Sequence, residues 1–225
     1  MRPHKVTLPR ILLMVALLAI PPLAGGSRIT DYAFAPRDIA HVRGIRANIW
    51  TAQQPGGWYA IAGIVSVCTT TTFCTGRHFE TGYVKGTITA PRTNVLQQFA
   101  AWVDPDGTSR NVYDLGDLND NAWYEFKSLY STTAQRWEAW RGNDVVYFLP
   151  YPLTYTEGSM TLCGAEGGGL GVSLGVECNN MRYKSGSAAW TQYNYQLPLQ
   201  ITPGYCVYKP YEYGAIGWGP NAPCN

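Results

Sequence analysis

The sequence predicts an all-β fold, an antiparallel sandwich or a closed barrel, on three observations. Gly (24), Tyr (16), Pro (15) and Trp (8) are abundant, while charged residues are only 14%, against roughly 25% in an average soluble domain. About ten short strand-like runs recur, each closed by a turn signal. No run shows the 3.6-residue apolar period of a convincing amphipathic helix. At 225 residues and 46% apolar content the chain can bury one sizeable core, and wholesale disorder is excluded.

The elements follow in order. Residues 45–51 (IRANIWT) alternate and end before Gln53-Gln54-Pro55-Gly56-Gly57. Residues 58–67 form an apolar run that stops at a Cys-bounded loop. Residues 79–89 read as a strand broken by Pro91, and residues 95–103 as one closed by Asp104-Pro105-Asp106-Gly107, a strong turn sequence. Residues 109–115 and 122–130 come next. Residues 135–140 and 145–149 flank Arg141-Gly142-Asn143-Asp144, which reads as a hairpin. Residues 159–165, 171–178 and 188–199 are the last strand candidates. The tail from Tyr205 is rich in Tyr, Gly and Pro. Trp137, Trp140, Tyr147 and Tyr151 suit either a core or the lining of a cleft.

Residues 1–26 stand apart. Arg2, Lys5 and Arg10 precede an apolar run, residues 11–20, and Ala24 and Gly26 precede a cut before Ser27. That is the layout of a secretory signal peptide, followed by one domain over residues 27–225. An uncleaved N-terminal anchor is the alternative, but the run is shorter than the about 20 residues of a membrane span. No later stretch is long and apolar enough to cross a bilayer, so no stable membrane insertion is expected after cleavage. The expected location is extracellular. The formal charge is +2; without the three early cations, 14 basic residues face 15 acidic ones. No basic footprint for nucleic acid remains.

Six cysteines follow the signal: Cys68, Cys74, Cys163, Cys178, Cys206 and Cys224. An even count in an exported chain reads as disulfides, with fifteen connectivities open. Sequence proximity favours Cys68–Cys74, Cys163–Cys178 and Cys206–Cys224. There is no CxxC pair and His is scarce, so no metal site is expected. No cofactor is expected, and oligomeric state is open.

The chain has no GxSxG elbow, no HExxH and no Gly-rich phosphate loop. After residue 26 only His41 and His78 remain, so Ser/His and Cys/His chemistry is poorly supplied. Carboxylates are the natural candidates. Glu80 lies within His78-Phe79-Glu80-Thr81-Gly82-Tyr83-Val84, a charge inside an apolar and aromatic strand. Glu166 lies where the strand Met160-Thr161-Leu162-Cys163 runs into small residues that admit close approach of a backbone or substrate. By composition alone both also suit an edge or the surface.

These two segments, with Gly44–Trp50 (GIRANIW), resemble the catalytic domain of the neprosin-type glutamic endopeptidases, a family known from plants and bacteria. HFETGYV resembles the segment I-E-x-G-W-x-V that holds the first catalytic glutamate. Ser159–Glu166 resembles the segment ending in W-G-G-E that holds the second. The similarity covers roughly residues 44–169. Tyr83 replaces the usual Trp, Cys163 stands where Trp is usual, and Ala165 replaces a Gly. Plant members carry a long N-terminal activation domain that is not evident before residue 44.

The resemblance implies a jelly-roll β-sandwich with Glu80 and Glu166 in a groove across one sheet. It implies hydrolysis of peptide bonds at acid pH through a water held by the pair, with a polypeptide as substrate. Gln97 and Gln98, on the next strand, and Tyr83 are candidate oxyanion or substrate contacts, with ordinary strand packing as the alternative. Two rival functions stand beside this one: a glycoside hydrolase with paired glutamates, and a non-catalytic carbohydrate- or surface-binding jelly-roll module.

Overall fold

The computed structural model describes residues 31–51, 60–70, 77–85, 95–168, 176–192, 200–201, 207–208 and 216–218. Residues 1–26, expected to be a signal peptide, and Cys74, Cys206 and Cys224 lie outside these residues. Among the described residues fourteen strands form one continuous antiparallel sheet, and no helix occurs. The all-β expectation is therefore met. The strands are β1 (Asp31–Trp50), β2 (Ala60–Cys68), β3 (His78–Lys85), β4 (Gln97–Val103), β5 (Ser109–Val112), β6 (Trp123–Ser131) and β7 (Arg136–Arg141). They continue with β8 (Asp144–Phe148), β9 (Gly158–Gly168), β10 (Val176–Ser185), β11 (Thr191–Gln192), β12 (Gln200–Ile201), β13 (Val207–Tyr208) and β14 (Ile216–Trp218).

β1 organises the sheet. Its first half pairs with β9 and β12, and its second half with β10 and β6. The change occurs where the register shifts between Asp38 and Val42. His41 sits there at φ 56°, a left-handed conformation that bends the strand out of regular pairing. Strands β9-β2-β3-β4-β5 extend from the first half, and β10 with β6-β7-β8 from the second.

Here two sequence expectations are corrected. Alternation marks only residues 45–51, whereas β1 begins at Asp31; Pro36 and the charges of residues 31–43 hide a strand that is held by neighbours on both sides. β10 covers Val176–Ser185 and so runs well past the expected end at Cys178, while residues 171–175 lie outside the described residues. Its polar run reads as a loop, but β1 and β14 supply partners for its backbone groups.

The two halves bury their facing sides in one core. Phe79 of β3 stacks on Trp137 of β7 with ring centroids 5.4 Å apart, and Tyr83 meets Phe126 of β6 at 6.5 Å. Ile45, Ala47 and Ile49 of β1 and Val65 and Val67 of β2 complete the contact, all 0–1% exposed. Burying each large side chain contributes roughly 1.5–3 kcal/mol. Two polar groups inside find backbone partners: Ser128 Oγ donates to the Val65 carbonyl at 2.9 Å, and Trp137 Nε1 to the Tyr155 carbonyl at 2.8 Å.

The expected hairpin is present. Arg141 pairs with Asp144 around Gly142-Asn143, and Gly142 takes φ +58°, which a side chain would resist. The Cys163–Cys178 disulfide also forms, linking β9 to β10 within the shared core with Cα atoms 6.8 Å apart. Cys68 is likewise disulfide-bonded, to a partner outside the described residues.

Candidate functional site

Successive residues of a strand alternate between faces, so the face of Glu80 follows from its neighbours. Phe79, Thr81 and Tyr83 enter the shared core; His78, Glu80, Gly82 and Val84 point the other way. The register then builds the face row by row. Glu80 stands between Ser66 of β2 and Ala101 of β4, with Leu162 of β9 beyond Ser66. The next row holds Phe99, Gly82, Ile64 and Gly164. The third holds Gln97, Val84, Ala62 and Glu166.

Ile64, Val84, Phe99, Ala101, Met160 and Leu162 form a second apolar cluster on this face, separate from the main core. Glu80 is half-buried within it. Burial pushes its carboxyl from an ordinary value of 4.5 up to about 7, partly offset by a side-chain hydrogen bond from Ser66. Ser66 itself is fully buried and stands directly across from Glu80. A carboxyl kept neutral to pH 7 can donate a hydrogen bond or a proton, which an ordinary surface glutamate cannot do.

The strand end beside Glu80 is anchored. The Tyr155 hydroxyl donates to the His78 carbonyl, two residues away. Asp104, after β4, accepts from Trp102 Nε1 at 2.9 Å, the Tyr151 hydroxyl at 2.9 Å and Arg110 Nε at 2.7 Å. Arg110 and the two neutral donors hold that carboxyl below the usual carboxylate range. Such support fixes the geometry of β3 and β4 under the site.

Pairing register places Glu166 two rows along and two strands across from Glu80. In a flat sheet those offsets give about 16 Å between Cα atoms. Gly82 and Gly164 occupy the row between them on β3 and β9, so that row carries no side chain on either strand.

The remaining candidates divide by parity. Gln97 shares the face of Glu80. Gln98 and Tyr83 face the core instead. Gln98 Nε2 donates to Thr81 Oγ1 and to the Trp140 carbonyl, each at 3.3 Å, and the Tyr83 hydroxyl donates to the Trp50 carbonyl at 3.4 Å. The structure therefore brings Gln97, and not Gln98 or Tyr83, to the side of Glu80. Ser66 escaped sequence reasoning. Its signal was a lone hydroxyl in the apolar run Ile64-Val65-Ser66-Val67. Among the described residues no group of three His, Cys, Asp or Glu side chains gathers to hold a metal ion.

No family model matches the chain. No curated protein matches it either. Solved structures do. Scytalidoglutamic peptidase bound to a peptide-based transition-state analogue matches with a TM-score of 0.50 and 9% identity, over 84% of this chain and 97% of that one. The same peptidase with another transition-state analogue inhibitor gives 0.51 and 9%, over 84% and 98%. The chain shares the fold of these glutamic peptidases across nearly their whole length.

Proposed function

We propose that this chain is an exported glutamic endopeptidase in which Glu80 is the acid and Glu166 the base. The observation that carries the reading is a half-buried carboxyl, pushed up to about 7, in a strand anchored at its end. The shared fold with peptidases that bind peptide-based transition-state analogues supports it. So does the resemblance of the HFETGYV and SMTLCGAE segments to the neprosin-type motifs.

The peptide lies over the row of Gly82 and Gly164, with one glutamate on each flank. Ionised Glu166 takes a proton from water as its oxygen attacks the scissile carbonyl carbon. Protonated Glu80 donates to the carbonyl oxygen and then gives its proton to the leaving nitrogen as the C–N bond breaks. Proton exchange with solvent restores the pair. Gln97 is the candidate for a further donor to the oxyanion. Positioned proton transfer supplies typically 10²–10⁴-fold, and orientation over the glycine row supplies more.

Cleavage of a peptide library by the wild-type protein, Glu80→Gln, Glu166→Gln and the double variant tests the reading. Each single variant is expected to lose at least about 100-fold in kcat/KM, and the double variant little more, since groups acting as a unit are non-additive. Wild-type activity is expected to fall as pH rises through about 7, where Glu80 loses its proton. Wild-type-like cleavage by either single variant removes that residue from the mechanism. Reducing ends released from a polysaccharide, with no peptide cleaved, would transfer the pair to glycoside hydrolysis. Export is tested separately: the secreted protein should begin at Ser27 and contain no free thiol.

A further inference from the structure

The second half of the fold carries another unusual surface, on the outer side of β10-β1-β6-β7-β8. Register lays it out in rows. Glu177, Trp50 and Trp123 form one; Asn179, Asn48 and Glu125 the next. Arg182, Arg46, Lys127 and Trp140 form the third. Lys184, Gly44, Leu129, Glu138 and Phe148 form the fourth.

Aromatic rings and hydrogen-bonding groups alternate over this face. Trp50 and Trp123 lie 5.5 Å apart, tilted 54°, and Trp123 is 42% exposed. Arg46 lies 5.1 Å from the Trp190 ring and Lys127 5.2 Å from the Trp140 ring. Gly44 leaves room for Trp190: a Cβ there would meet that ring at 3.1 Å. Phe148, 44% exposed, lies under Arg136 at 3.7 Å.

The charges are uneven. Arg46 stands directly opposite Arg182 across β1 and β10, a like-charge pair that a sheet normally avoids. Glu125 is engaged by Arg46 at 3.3 Å and Lys127 at 3.2 Å, and Glu138 by Arg136 at 3.2 Å. Arg182 Nε donates to the Asn180 amide oxygen at 3.1 Å. With Lys184, five cations share the face with three carboxylates, whereas the chain beyond residue 26 has one more acid than base.

We propose that this face binds an anionic polysaccharide of the uronate class. Indoles offer flat apolar platforms to the C–H faces of sugar rings, with amides and charges between them for hydroxyls. Arg182, Arg46 and Lys184 receive the carboxylates, which relieves the arginine pair. A nucleic acid suits the face less, because Glu125, Glu138 and Glu177 interrupt the positive surface that a dense phosphate backbone requires. The site is separate from Glu80 and independent of the peptidase reading.

Titration of the secreted full-length protein with polygalacturonate, neutral xylan and single-stranded oligothymidine tests the proposal. Saturable binding to polygalacturonate is expected, weakening with added salt. Trp123→Ala and Arg182→Glu are each expected to weaken it at least tenfold, with the urea-unfolding midpoint of the exposed Trp123 variant close to that of the wild type. Absence of polygalacturonate binding overturns the proposal. So does unchanged affinity in both variants, equal affinity for xylan, or tighter binding of the oligonucleotide.

Discussion

Glu80 and Glu125 occupy sheet faces that both turn away from the shared core, yet their surroundings differ in kind. Glu80 is set among Ile64, Phe99, Ala101 and Leu162, with the Ser66 hydroxyl as its hydrogen-bond donor. Its charged form is therefore destabilised. Glu125 lies between Arg46 and Lys127, each within 3.3 Å, and forms an ion pair with both. The same side chain thus becomes a neutral acid on one face and a member of an ion-pair network on the other. A carboxyl acquires chemistry when desolvation exceeds charge pairing, and an ordinary structural role when the reverse holds.

That contrast requires stability to reside in the core between the faces. Trp137→Ala is expected to cost about 3–5 kcal/mol in urea unfolding, because Trp137 is 1% exposed and stacks on Phe79. A loss below about 1 kcal/mol would break the comparison at its base. Cys163 and Cys178 join the half that carries Glu80 to the half that carries Glu125. Replacing both by Ala is expected to cost about 3 kcal/mol for a loop of this length, since the bonded residues are 15 apart. Unchanged unfolding would show that the two halves need no covalent link.

Glu80 itself sharpens the comparison through pH. Its carboxyl binds a proton more tightly folded than unfolded, so the folded state holds more protons between pH 4.5 and about 7. Stability should fall as pH rises through that window and level off above it. Glu80→Gln lacks the penalty. Its advantage over wild type should be near zero below pH 4.5 and grow to at most about 3 kcal/mol above pH 7, discounted by the partial exposure of the group. An advantage that grows towards low pH would reverse the assignment. The smallest effect is expected on the other face. Glu125→Gln should cost about 1 kcal/mol or less and the cost should shrink with salt; a salt-independent loss would mean that packing rather than charge holds Glu125.

Apolar or alternating runs closed by turn residues made β2 to β9 legible, because those signals act over a few neighbouring positions. The first half of β1, the polar β10 and the short strands after residue 199 were not legible. Partners distant in the chain hold them, and no local pattern announces those partners. The candidate site divided in the same way. Glu80 stood out as a charge within an apolar strand. Gln97, Gln98 and Tyr83 could not be sorted, since β3 and β4 are apolar on both faces and give no sign of parity.

By itself, then, the sequence determined the fold class, the turn between β7 and β8, the Cys163–Cys178 pairing favoured by proximity, and the suspicion attached to Glu80. These follow from period, turn chemistry and residue type, all of which act over a few neighbouring positions. Tertiary structure alone decided that Ser66 faces Glu80, that Gln98 and Tyr83 belong to the core, that the register sets Glu166 two rows away, and that Arg46 opposes Arg182. Each of these depends on the register between strands far apart in the chain. A shift of one residue would turn every side chain to the other face, and only the packing of the whole sheet excludes that shift.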